Sequence, residues 1–376
     1  MANPFVTFFS GLFKKPGSSV LGIDIGSSSI KVVQLRRDKG KSILETYGEL
    51  ALGPYAGVEI GRATNLPQEK IIEALRDVLK ESNVTTKDCG ISIPSSSSLL
   101  SFVHMPVSDK AQLATMVPIE ARKYVPVPIS EVSLDYWPVP KEENSFSEFE
   151  RTPSSDGKPH DQGTDIILVV IHNDVINRFS NISQATGLST TFFEIEIFGS
   201  MRSVVDQSLD AELVFDMGAG STKLYIIDRT ILRSSHTINR GSQEITLALS
   251  RSLGMPVGEA EHIKRTIGLS PSPEHKNIRE VIDLNLDYIF SETNRVITNY
   301  QHHYNKNLSR IILTGGGTLL KGFLEAARTR FQTEVILGDP FSKTEAPAFL
   351  EPVLKNAGPE FAVAIGIALR ALQERE

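Results

Sequence analysis

The stretches LGIDIGSSSIKVVQL (21–35) and LVFDMGAGSTKLYII (213–227) share the frame Asp-x-Gly-x-x-Ser-x-Lys. The first copy places Asp24, Gly26, Ser29 and Lys31; the second repeats them as Asp216, Gly218, Ser221 and Lys223, 192 positions later. Each copy lies between two apolar, β-branched runs, which reads as strand, tight polar turn, strand. Glycines such as Gly26, Gly218 and Gly220 let backbone N–H groups approach an anion closely. Small hydroxyl residues (Ser27, Ser28, Thr222) add donors without bulk. An aspartate beside a phosphate makes sense when a hydrated Mg²⁺ lies between them, so Asp24 and Asp216 are the expected metal ligands. One such turn is only a turn. Two in the same frame point to a polyphosphate gripped from both sides.

A third element completes the set. Arg310 to Thr314 reads as a strand, followed by Gly315, Gly316, Gly317 and Thr318 and a helical pattern from Leu319 to about Phe331. One glycine suffices for a sharp strand-to-helix turn, whereas three in a row favour close approach of the backbone to a flat ligand such as adenosine.

The composition is compatible with this reading. At 376 residues the chain can hold two domains with their own cores. A formal charge of −6 argues against nucleic acid as a partner. The single cysteine, Cys89, fits a reducing compartment, so cytoplasm is the expected address. No run approaches the ~20 apolar residues that span a bilayer. The opening segment places Phe5, Phe8, Phe9, Leu12 and Phe13 before Lys14 and Lys15. It reads either as an amphipathic tail that docks on a membrane surface or partner, or as a tail packed on the body.

On these residues the chain resembles the actin/heat-shock-chaperone/sugar-kinase superfamily, an α/β, actin-like two-domain (ribonuclease H-like) ATPase fold. Asp24–Lys31 and Asp216–Lys223 look like its two phosphate loops, and Leu313–Thr318 like its adenosine motif. Glu261 and Lys264, in Ala260-Glu-His-Ile-Lys264, are similar to the helix whose acid and lysine reach the nucleoside; otherwise they form a surface ion pair. Within the superfamily, Ile119–Pro126, Glu292–Arg295 and Phe361–Arg370 resemble the PilM family of type IV pilus assembly, itself similar to FtsA. The type II secretion family GspL is a further match.

The resemblance implies bound ATP and Mg²⁺. It also implies an FtsA/PilM-type inserted subdomain and a place at the inner face of the inner membrane with other pilus inner-membrane proteins. The cytoplasmic N-terminal tail of PilN is the implied partner. A filament-forming protein similar to FtsA and a small-molecule kinase of the same superfamily are the alternatives. The implied division is a tail (1–17), a first domain (18–98, 188–209 and 358–376), an insert (99–187, with a mobile loop at 141–164) and a second domain (210–357). The implied water-orienting residue is Glu196, with Glu194 as the alternative; a helix N-terminal acid that complements the dipole is the structural reading. Slow hydrolysis, with ATP as a structural and switching ligand, is the expected behaviour. The adjacent pair His302 and His303 points in two directions on a helix and suggests no zinc site. Trp137 reads as a core aromatic, or less readily as an exposed anchor for a peptide.

Overall fold

The computed structural model describes residues 19–140 and 163–375. The tail at 1–17 and residues 141–162 of the expected loop lie outside the described residues. The chain forms two compact units: one from the segments up to Pro94 and from Phe179 onward, the other from Ser95–Arg178.

The larger unit opens with β1 (Ser19–Ile25), β2 (Ser29–Asp38) and β3 (Lys41–Ala51), then α1 (Gln68–Glu81) and β4 (Asp88–Ile93). The smaller unit follows with β5 (Ser98–Met105), α2 (Lys110–Glu120), β6 (Val132–Pro138) and β7 (Thr164–His172). Helix α3 (Asn173–Ala185) crosses the boundary between units. The chain continues through β8 (Ser189–Ile195) and α4 (Glu196–Val204). A second set follows: β9 (Ala211–Met217), β10 (Thr222–Asp228), β11 (Ile231–Ile238), α5 (Ser242–Leu253), α6 (Val257–Thr266) and the long α7 (Lys276–Tyr304). It ends with β12 (Arg310–Thr314), α8 (Phe323–Arg330), β13 (Glu334–Leu337), α9 (Glu351–Ala357) and α10 (Ala362–Gln373).

The repeat in the sequence is a repeat of topology. One five-stranded sheet runs β3-β2-β1-β4-β8 and the other β11-β10-β9-β12-β13. In each, an antiparallel three-stranded meander is extended by two parallel strands. The shared frame also has a register: Asp24 pairs with Lys31 across β1 and β2, and Asp216 with Lys223 across β9 and β10. The seven-residue spacing therefore makes the acid and the base cross-strand neighbours, with their side chains on one face of the hairpin.

Each lobe of this unit has its own core. In the second, the apolar stripe of α7 (Ile282, Leu286, Ile289, Ile297, Tyr300) packs on Phe215, Leu224 and Ile311. In the first, α10 is apolar on nearly every side and is buried beneath β1, β2 and β4. A Cβ on Gly366 would lie 1.8 Å from the Gly199 carbonyl oxygen, so α10 and α4 cross at backbone contact, which no larger residue permits.

The smaller unit places β5-β7-β6 over a core of Val103, Leu113, Val117, Leu168 and Val170. Asp109 caps α2 by accepting from the Ala111 and Gln112 amides, both at 3.0 Å. Three expectations are corrected. Thr164 belongs to β7 rather than to the loop. Trp137 is 43% exposed: it lies near the end of edge strand β6, on the sheet face opposite that core. The helix expected from Leu319 starts at Phe323: Gly316–Leu319 form a 3₁₀ turn, and Gly322 takes a left-handed conformation (φ +82°) that breaks the helical path. Among the described residues no helix is long and apolar enough to cross a membrane.

Candidate functional site

A cavity of about 370 Å³ lies between the two lobes of the larger unit. Its walls include Asp24, Gly26, Ser27, Ser28, Ser29 and Lys31 from the first hairpin, and Asp216, Gly218, Gly220, Ser221 and Lys223 from the second. Gly315, Gly316, Gly317, Glu261, Lys264 and Glu196, also expected from the sequence, line it as well. The hairpin tips face each other: a Cβ on Gly220 would lie 3.6 Å from Ser27 Oγ.

Two expected residues do not reach the cavity. Thr222 precedes Lys223 on β10, so strand alternation turns it away, and its hydroxyl donates to the Arg240 carbonyl at 2.8 Å. Thr318 is buried in the 3₁₀ turn, where its hydroxyl donates to the Gly315 carbonyl at 2.8 Å. Both support the walls.

The charges are arranged in opposed pairs. The Ser92 hydroxyl donates to Asp24 Oδ1 at 2.7 Å. Burial raises the pKa of Asp24, with Lys31 acting against it and Glu196 adding to it. Burial likewise pushes Asp216 up to about 6; Lys223 opposes this, while Glu196 and Asp24 reinforce it. The two carboxylates thus feel each other and the same cations. Burial would pull Lys223 down, but Glu196 and then Asp216 more than offset it, so its pKa is raised. Such buried acids gain from a cation that neutralises both at once.

The two glutamates considered for water positioning separate cleanly. Glu194, at the end of β8, takes both guanidinium nitrogens of Arg202 at 2.7 and 2.8 Å and one of Arg370 at 2.8 Å. It ties α4 and α10 to the strand. Glu196, the first residue of α4, lines the cavity and accepts from Lys223 Nζ at 2.6 Å.

Glu261 and Lys264 are 5% and 6% exposed, so they are not a surface pair. The Thr246 hydroxyl and the Lys264 ammonium each donate to Glu261 Oε2 at 2.6 Å, and Arg265 Nε donates to Oε1 at 2.7 Å. At the glycine turn, Gly315 has φ +84°, and a Cβ there would lie 2.4 Å from Asp216 Oδ1. The backbone passes directly beside the acid, a geometry open only to glycine.

Further wall residues escaped the sequence reading. Glu49 pairs with Lys31 at 3.1 Å, and Glu360 is raised by burial and by Glu49. Lys31 and Glu49 are register partners across β2 and β3, a signal available once the strands are aligned. Glu360 had a fainter one, as a lone acid just before the apolar run of α10.

The model of the family described as type IV pilus assembly protein PilM matches residues 22–372. This chain belongs to that family. Its structure is similar to that of a PilM–PilN type IV pilus biogenesis complex, with a TM-score of 0.77 at 20% identity, over 94% of this chain and 98% of that one. It is also similar to ethanolamine utilization protein EutJ from Carboxydothermus hydrogenoformans, with a TM-score of 0.55 at 15% identity over 94% and 90% of the two chains. MreB 5 of Spiroplasma citri bound to AMPPNP gives a TM-score of 0.52 at 10% identity over 95% and 97%. The family's fold here is thus actin-like, with Asp24 and Asp216 on its two facing hairpins.

Proposed function

We propose that this member of the PilM family is a cytoplasmic, nucleotide-loaded scaffold of the type IV pilus inner-membrane assembly complex, peripheral at the inner face of the membrane. It binds Mg²⁺–ATP in the cavity and the cytoplasmic N-terminal tail of a PilN-type protein elsewhere on its surface. The observation that carries the nucleotide reading is the pair of Asp-x-Gly-x-x-Ser-x-Lys hairpins lining one cavity. A related structure contains bound AMPPNP, and another pairs PilM with PilN.

The residues fit the ligand. Two carboxylates with raised pKa values, Asp24 and Asp216, suit Mg²⁺, which keeps several waters and takes one or two protein oxygens. When bound, the ion offsets negative charge on the carboxylates and the phosphates. Lys31, Lys223 and the hydroxyls and remaining amides of the two glycine–serine turns would hold the phosphate oxygens, while the Gly26 and Gly218 amides close the turns by donating to the Ser29 and Ser221 carbonyls. Glu261, Lys264 and Gly315–Gly317 line the same cavity and would hold the nucleoside. Glu196 is the candidate for holding a water.

Thermal unfolding with and without Mg²⁺–ATP tests the first half. Nucleotide at ~100 times its dissociation constant stabilises by ~2.7 kcal/mol, a shift easily seen. The absence of any shift would sink the nucleotide reading. Capture of a PilN N-terminal peptide with and without ATP tests the second half.

A further inference from the structure

The two lobes share a topology but differ in one connection. In the second lobe β11 ends at Ile238 and α5 begins at Ser242, whereas in the first β3 ends at Ala51 and α1 begins only at Gln68. We propose that residues 53–64 of this longer connection form a strap that gates nucleotide exchange, an inference that rests on the nucleotide reading above.

The strap is hinged on the first phosphate loop at both ends. The Leu52 amide donates to the Ser28 carbonyl at 2.8 Å, and the Thr64 amide to the Ser27 carbonyl at 2.7 Å. Between these hinges Tyr55 holds the strap on its own lobe, its hydroxyl donating to Asp77 of α1 at 2.5 Å, and residues 59–63 reach the opposite lobe. The Ala63 amide donates to Gln243 Oε1 at 3.0 Å, next to the tip of the second phosphate loop, where a Cβ on Gly220 would lie 3.6 Å from Ala63 Cβ. Gly61, with φ +90°, lines the cavity, and a Cβ there would lie 2.5 Å from the Glu261 carboxyl carbon. The strap backbone therefore rests on the acid assigned to the nucleoside.

Two consequences follow from this placement. The lobes cannot separate while the strap stays fixed at both hinges, unless the Ala63–Gln243 bond breaks and Gly61 lifts from Glu261. A nucleoside drawing on Glu261 also holds down the residue that lies on it. Among the described residues the tie is one neutral hydrogen bond with the packing of Gly61 on Glu261, Ala63 by Gly220 and Glu59 by Gly258, and no ion pair, which leaves it able to open repeatedly.

The experiment measures release of mant-ATP from the full chain with Mg²⁺, chased with excess ATP. Gln243→Ala is expected to raise the release rate about five-fold, the worth of one neutral hydrogen bond, and Gly61→Ala to raise it as well. Gly57→Ala is the control: it imposes a side chain at a similar φ of +68°, but nothing lies within 4 Å of its Cβ. Its rate should match the wild type. Gln243→Ala should also speed amide hydrogen exchange across 58–64 without nucleotide. Equal release rates in all three variants, or unchanged exchange in Gln243→Ala, would overturn the gate alone. Failure of mant-ATP to bind the wild type would overturn the nucleotide reading and the gate with it.

Discussion

Lys223 Nζ lies 2.6 Å from Glu196 Oε2, joining the second phosphate hairpin to the first residue of α4 across the cavity. The side chains are only 14% and 10% exposed, so water screens the pair poorly. The lysine expected to face phosphate thus faces the acid expected to position water. In the proposed function the phosphate oxygens and Glu196 are rivals for one ammonium.

Removing that ammonium should therefore have two separable effects. Lys223→Met leaves a buried carboxylate without the cation it faces, which costs ~3–5 kcal/mol in urea unfolding. Lys223→Met combined with Glu196→Gln should recover most of that stability. Nucleotide affinity, measured by titration calorimetry, should be lost in both. Recovery of affinity in the double variant would show that Lys223 does not bind the phosphates.

Asp216 gives the protein a pH dependence of definite sign. Its pKa is raised by burial from 3.8 to about 6, so the native state binds more protons than the unfolded state between those values. Stability from this group is present below pH 3.8 and is lost as pH rises towards 6, on the order of 3 kcal/mol in all. A bound cation reverses that penalty. The gain in melting temperature from Mg²⁺–ATP should accordingly grow between pH 5 and pH 7.5. Asp216→Asn should be more stable than the wild type without ligand at pH 7.5, and its Mg²⁺ response should vary less with pH, Asp24 remaining as the second raised carboxylate. A wild-type response independent of pH would remove Asp216 from the metal site.

The hairpins were readable because their chemistry is local: eight residues hold the acid, the turn and the base, and the strand register makes them neighbours. Thr222 and Thr318 belong to the motifs in sequence without lining the cavity, because a motif is not lined up on one face residue by residue. Period-two alternation already places Thr222 opposite to Lys223. Glu49 and Glu360 were a different matter. Glu49 comes beside Lys31 through the β2–β3 register, which needs the strand alignment, whereas Glu360, in the turn before α10, is brought there only by tertiary packing. The choice between Glu194 and Glu196 was likewise undecidable from spacing, since it depends on where β8 ends and on the Arg202 and Arg370 side chains.

The Glu261–Lys264 pair separates stability from binding in another way. Glu261→Ala leaves Lys264 buried without its carboxylate and should cost ~3–5 kcal/mol. Glu261→Leu combined with Lys264→Met replaces both charges with apolar groups of similar bulk, and should restore stability to within ~1–2 kcal/mol of the wild type. If the pair holds the nucleoside, the double variant remains a poor binder despite its stability. A stable double variant with full affinity would reduce the pair to a structural brace.

Glu194 and Glu196 offer the sharpest test of the site, being two residues apart with opposite roles. Glu196→Gln keeps the shape of α4 and removes the carboxylate that faces the cavity. Any ATP turnover, followed by phosphate release per folded molecule, should fall ~10²-fold or more, with some loss of stability from Lys223, limited because Asp216 and Asp24 also face that ammonium. Glu194→Gln does the reverse. It weakens the bonds to Arg202 and Arg370 that fix α4 and α10 to β8, so it should lower the unfolding midpoint by ~2–4 kcal/mol in stability. Turnover per folded molecule should stay within a few-fold of the wild type. An exchange of these outcomes would move the water-positioning role to Glu194, and unchanged turnover in both would leave Glu196 only as the partner of Lys223.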